Sequence, residues 1–85
     1  LVEIKVEKHR HPAWKDTISF PPIIGEWQYI YSNSKGKISL VTLPNYFHDG
    51  VDLWEIYSLE GDLFEDVERF KTKEEAENRI NDILA

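Results

Sequence analysis

Alternation of apolar and polar residues, broken by turn signals, organises the first two thirds of the chain; a helical repeat organises its end. Residues 1–8 set Val2, Ile4 and Val6 on one face and Glu3, Lys5 and Glu7 on the other. That period of two predicts a half-buried strand. It stops at His9-Arg10-His11-Pro12, because proline has no N–H to give a ladder. From Ala13 to Gly25 the alternation fails. Trp14, Ile18, Phe20, Ile23 and Ile24 crowd around Pro21-Pro22, too apolar for a solvated loop. An extended segment lying across the core is expected here, with a short strand around Thr17–Phe20.

Alternation returns from Glu26 to Ser32, with Trp27, Tyr29 and Tyr31 on one face and Gln28 and Ile30 on the other. Asn33-Ser34-Lys35-Gly36 is a turn signal, and Lys37–Leu43 follows with Ile38 and Leu40 opposed to Ser39 and Val41. The pair predicts a hairpin. Pro44 ends it, and Asn45–Gly50 reads as a loop carrying Tyr46 and Phe47. A second hairpin is expected along Asp52–Ser58, through Glu60-Gly61, and back along Asp62–Phe70. On the return strand Leu63 and Val67 share a face while Phe70 has the other parity, so a bulge or a strand end near Arg69 is implied. Ile30-Tyr31-Ser32 with Gly36 and Ile38 echoes Ile56-Tyr57-Ser58 with Gly61 and Leu63, an echo that duplication and shared strand chemistry explain equally well.

Thr72-Lys73-Glu74-Glu75 has the spacing of a capping box, in which the Thr hydroxyl takes the Glu75 amide and the Glu75 side chain reaches back. Ala76, Ile80, Ile83 and Leu84 then recur as one apolar stripe, and Glu75 and Arg79 stand at i,i+4 in the favourable order. A helix this short is marginal alone and must dock, with the Leu63/Val67 face as its expected seat. The fold expected is therefore α+β: a single small domain over 1–85 whose antiparallel sheet, of about four to five strands built from two hairpins, carries one C-terminal amphipathic helix on one face.

The chain has 85 residues, 41% of them hydrophobic, with three Trp, four Tyr and four Phe. At ~150–250 Å² per buried ring these suffice for one compact core. Cysteine is absent, which removes disulfides and thiolate metal sites and favours a reducing compartment, hence a cytoplasmic location. No apolar run approaches the ~20 residues of a membrane span, and no signal-peptide pattern is present.

Net charge is −6 and unevenly placed. Residues 1–37 carry six bases against four acids, and residues 69–85 carry four of each. Residues 38–68 hold eight acids (Asp49, Asp52, Glu55, Glu60, Asp62, Glu65, Asp66 and Glu68) and no Lys or Arg. That tract repels a phosphate backbone.

Catalytic patterns are missing: there is no Cys nucleophile, no Gly-rich phosphate loop and no G-x-S-x-G elbow. The chain is read as a non-enzyme without cofactor. His9, His11, His48 and Asp49 are the one set with metal-ligand chemistry, but nothing in the spacing fixes their meeting, and the reading assigns no metal.

The acid-only tract is the most informative feature. On a regular strand, Asp62, Asp66 and Glu68 line one face with Phe64, and Glu55 and Glu60 extend the patch. The expected function is a small acidic protein-interaction module, of inhibitor, immunity or adaptor type. Glu55, Glu60, Asp62, Phe64, Asp66 and Glu68 would dock a basic surface on a protein partner, with Phe64, Trp54 or Tyr57 as apolar anchor. The alternative is a nucleic-acid-binding domain using the aromatic first hairpin, residues 26–43, with Lys35, Lys37 and Lys15 on phosphates. Net charge disfavours it, and no basic residues interleave with Trp27, Tyr29 and Tyr31 along that strand. Self-association through aromatic or edge-strand surface, giving a homo-oligomer, is a third reading.

Gly25-Glu26-Trp27 with Gly36-Lys37, followed by Phe70-Lys71-Thr72-Lys73-Glu74-Glu75-Ala76, resembles the grammar of the arm-binding domains of phage-type integrases, a three-stranded sheet plus a helix. The resemblance implies a sheet that enters the major groove of DNA. An additional strand pair over 52–70 separates the two pieces here, and eight acids stand where that family's surface is basic.

Overall fold

The computed structural model describes residues 3–12, 14, 24–44, 51–61, 63–64 and 66–85. Five strands, β1 (Lys5–Arg10), β2 (Trp27–Asn33), β3 (Gly36–Leu43), β4 (Leu53–Glu60) and β5 (Glu68–Phe70), are followed by one helix, α1 (Lys73–Leu84). The sheet is an antiparallel meander in the order β1-β2-β3-β4-β5, with α1 across one face. The α+β architecture follows the alternation closely. The expected strand around Thr17–Phe20 and the Asn45–Gly50 loop lie outside the described residues, as do Val2 and the Pro21-Pro22 segment.

Register assigns each side chain to a face. Tyr29 pairs with Leu40 and Leu40 with Ile56, and Tyr31 pairs with Ile38. This face takes the helix: Tyr31, Ile38, Leu40 and Ile56 form one buried cluster with Ala76, Ile80 and Leu84 of α1. Ile4, Tyr29, Trp54, Leu63, Phe64, Phe70 and Ile83 pack around its margin. The opposite face is also partly buried, at Val41, Leu43 and Leu53. There Gln28 Nε2 donates to Ser39 Oγ at 2.7 Å and to the Tyr57 hydroxyl at 3.0 Å, so these sheltered polar groups satisfy one another. Central strand β3 is therefore covered on both sides along much of its length. The echo between the hairpins does not survive register, for Tyr31 faces the helix and Tyr57 faces away from it.

Four departures from the sequence reading have plain causes. First, β1 begins later than expected and extends through Arg10, and Val6 is 54% exposed; α1 lies over β2–β5 and does not reach this edge. Second, β5 is only three residues long. Gly61 turns with φ 87°, Ser58 Oγ donates to the Gly61 carbonyl, and the Asp- and Glu-rich return has poor strand propensity. Regular pairing resumes only at Glu68. Third, Leu63 packs on the core but Val67 is 44% exposed, so the two do not share a seat under the helix. Fourth, the bulge lies elsewhere: register shifts between Lys37 and Ile38, which pair with Glu60 and Ser58 and leave Leu59 without an opposite residue. Gly36 is required beside it, since a Cβ there would stand 2.5 Å from the Glu60 carbonyl oxygen.

α1 starts at the expected N-cap, and the Thr72 half of the capping box is present. Thr72 is extended, at φ −130° and ψ 153°, and its Oγ1 accepts from the Glu75 amide at 3.1 Å. The partner of Arg79 differs from expectation. It is Glu68 of β5, with Nε to Oε1 at 3.0 Å and Nη2 to Oε2 at 3.3 Å, a bidentate clasp that outcompetes the single-contact i,i+4 pair with Glu75. Tyr31 donates its hydroxyl to Glu77, and Asn33 Nδ2 donates to the Leu84 carbonyl. Both contacts set the helix along β2, its N-terminus near Tyr29 and its C-terminus near Asn33. Burial, then the Glu77 charge, push the Tyr31 hydroxyl far above its ordinary pKa, so it stays a donor.

Candidate functional site

Among the described residues, the acids singled out from sequence do not gather on one surface. Glu55 lies on the face away from the helix and pairs with Arg69 at 3.0 Å. Glu68, opposite Ile56, lies on the helix face and is held by Arg79. Glu60, at the end of β4, faces Lys37 at 3.6 Å. Phe64 packs against the core margin, where it supports the fold. Asp66 is exposed, and Asp62 lies outside the described residues. The cause is covalent geometry: with β5 short, odd and even positions of the acid tract pass to different faces or leave the sheet.

A different constellation emerges at the open end of the helix face. A twelve-residue helix spans ~18 Å at 1.5 Å per residue, less than β2, β3 and β4 beneath it. It covers β2 from Tyr29 onward and leaves Trp27 39% exposed. Strand pairing sets Arg10 opposite Trp27 and Lys8 opposite Tyr29, all on this face. The Lys8 ammonium stands 4.5 Å from the Trp27 ring centre and 5.8 Å from that of Tyr29. The Arg10 guanidinium lies 5.6 Å from the Trp27 ring and 5.3 Å from that of Trp14. From the other side, the first residue of α1 brings the Lys73 ammonium to 4.1 Å from the Tyr29 ring. Each distance is within the ~6 Å reach of a cation–π contact.

Electrostatics distinguish the three cations. Arg10 is tied to Glu26 at 2.7 Å. Among the described residues neither Lys8 nor Lys73 has a carboxylate partner, and their ammonium groups lie over ring faces. The strip thus combines flat π-surfaces with two ammonium groups available to an anion. His11, at the strip's margin, has its amide bound to the Glu26 carbonyl, and burial lowers its imidazole pKa below 6.5.

The strip is not legible along β2 alone. Lys8, Arg10 and Lys73 arrive from a neighbouring strand and from the helix; the one legible signal was that Lys8 and Arg10 share the parity of Val6. The cations chosen instead from sequence fall elsewhere. Lys35 sits in the hairpin turn, Lys37 is engaged by Glu60 on the opposite face, and Lys15 lies outside the described residues. Of the histidine set, His48 and Asp49 also lie outside them. Among the described residues no three His, Cys, Asp or Glu side chains are close enough to hold a metal ion. An open hollow of about 490 Å³, bordered by Glu3, Lys5, Ser32, Asn33 and Ser34, lies at the far end of β2. Among the described residues no helix is long and apolar enough to cross a membrane. No family model matches the chain, and no curated protein or solved structure matches it either.

Proposed function

We propose that the chain is a non-catalytic binding module for single-stranded nucleic acid, with the Lys8/Arg10/Trp27/Tyr29/Lys73 strip as its contact surface. The observation that supports this reading most is the pair of ammonium groups, Lys8 and Lys73, that have no acidic partner among the described residues and flank Trp27 and Tyr29. Bases stack on rings with little regard to sequence, at ~1–3 kcal/mol each. An entering base takes the ring face from the amine, and the displaced amine meets the adjacent phosphate. A single strand suits a protein of net charge −6, because a flexible backbone can follow one strip and turn away from the acids. A rigid duplex would bring its remaining phosphates against them.

The test is fluorescence anisotropy of a labelled oligothymidine, titrated with protein at rising salt. Engagement of the Lys8 and Lys73 ammonium groups gives a log–log salt slope of about −1.4 at ~0.7 per phosphate contact. Lys8→Glu or Lys73→Glu flattens the slope, and Trp27→Ala weakens binding by ~1–3 kcal/mol. A flat titration at low ionic strength, or binding indifferent to Trp27→Ala, overturns the reading. A second reading, docking of a basic protein surface through Asp66 and its acidic neighbours, draws on the net charge of −6 and the exposure of Asp66. Salt-sensitive capture of a polylysine peptide, lost in Asp66→Lys, beside a flat oligonucleotide titration, would favour it.

A further inference from the structure

The sheet is open, and its two edges differ. β5 offers three residues, whereas β1 offers six and is exposed at most positions. The direction of its backbone groups follows from one bond. The His11 amide donates to the Glu26 carbonyl at 2.7 Å, in the same register that pairs Lys5 with Ser32 and His9 with Gln28. In an antiparallel ladder, hydrogen-bonded residues alternate. Odd residues of β1 therefore turn their N–H and C=O toward β2, and Val6, Lys8 and Arg10 turn theirs outward; Ile4, just before the strand, continues their parity. Such an edge is a template for another strand unless it is blunted. Lysine commonly blunts an edge, but Lys8 is folded back over Trp27 and Tyr29.

We propose that β1 pairs antiparallel with β1 of a second copy of this chain, with Val6 facing Val6 across a twofold axis. In that register the outward-directed residues meet one another: Val6 exchanges both backbone hydrogen bonds with its copy, and Ile4 does so with Lys8. The side chains agree with the backbone. Lys5 falls opposite Glu7 of the second copy and Glu7 opposite Lys5, while Glu3 falls opposite His9. Within one chain Lys5 and Glu7 already attract, at 3.2 Å. Pairing gives each a second opposite charge. On the other face Val6, 54% exposed, covers its own copy.

Charge complementarity favours a second copy as partner, and the bounds of β1 favour the Val6 register: an axis at Ile4 would also set Lys5 against Glu3, but Ile4 lies outside the strand. Placing the axis at Lys5, Glu7 or Lys8 sets that charged residue against itself, and cross-strand like charges destabilise a pair. Val6 is the one position among these four neighbours at which the edge is self-complementary. The product joins two five-stranded sheets into one continuous sheet. It uses the backbone of Lys8 and the seat of its side chain over Trp27 and Tyr29, but it does not rest on the nucleic-acid reading.

Sedimentation equilibrium of the 85-residue chain at low salt, up to millimolar concentration, tests it. The mass is expected to rise from 10.0 kDa toward twice that value. Val6→Pro removes an outward N–H and no β1–β2 bond, so it should abolish the dimer and leave the far-UV circular dichroism of the monomer intact. Lys5→Glu and Glu7→Lys should each weaken association about tenfold, and the two together should restore it. That rescue decides the matter even if the proline variant unfolds. A mass that stays at 10.0 kDa, or a dimer unaffected by the single charge reversals, refutes the pairing.

Discussion

Truncation of Ile80 to alanine tests the central claim about stability, that the sheet is held by a helix unable to stand alone. Ile80 is fully buried at the middle of α1, in one cluster with Tyr31, Ile38, Leu40 and Ile56. The variant removes three buried carbons, worth ~2.4 kcal/mol at ~0.8 kcal/mol each. The site is walled by β-sheet below and by Ala76 and Leu84 on either side, so it collapses poorly, and the residual cavity raises the loss to ~3–4 kcal/mol. Against the ~4–13 kcal/mol expected for a domain this size, that is a large fraction. Urea denaturation followed by tryptophan fluorescence and far-UV circular dichroism should show a lower midpoint with an unchanged m-value. At ~4–8 °C per kcal/mol, Tm falls by ~12–30 °C. Ile80→Asp places a carboxylate in the same site and should leave the domain unfolded. A loss below ~1 kcal/mol in Ile80→Ala would mean that the helix docks elsewhere or contributes little.

Two other expectations rest on single contacts. Gly36→Ala drives a Cβ to 2.5 Å from the Glu60 carbonyl oxygen and 2.7 Å from Leu63 Cδ1. The side chain can yield but the paired backbone cannot, so urea unfolding should show a loss of ~1–3 kcal/mol; a neutral substitution would contradict the bulge at Lys37/Ile38. His11 is half-buried, and desolvation lowers its pKa, so the folded state disfavours the imidazolium. Stability from this group is complete above pH 6.5 and declines as pH falls below that value toward the depressed folded pKa. An NMR titration should place the His11 midpoint under 6.5, and a midpoint at or above 6.5 would remove the argument.

What the sequence determined by itself is whatever depends on neighbours along the chain. Alternation at 26–32 and 37–43 specifies two strands because side chains of a strand point to opposite sides in turn, and Asn33–Gly36 closes them because the Asn33 side chain takes the Lys35 amide. Thr72 announces α1 through a bond three residues long, and Ala76, Ile80 and Leu84 mark its buried side. Tertiary structure decided what depends on which element lies beside which. Eight acids with no base among residues 38–68 look like one patch in a line of text. Register sends Glu55 and Glu68 to opposite faces, and distant Arg69, Arg79 and Lys37 neutralise them and Glu60. The strip at Trp27 and Tyr29 was illegible for the same reason. Its cations come from β1 and from the first residue of α1, and only the pairing of Arg10 with Trp27 and the length of the helix bring them to the exposed Trp27 ring and to Tyr29 at the core's margin.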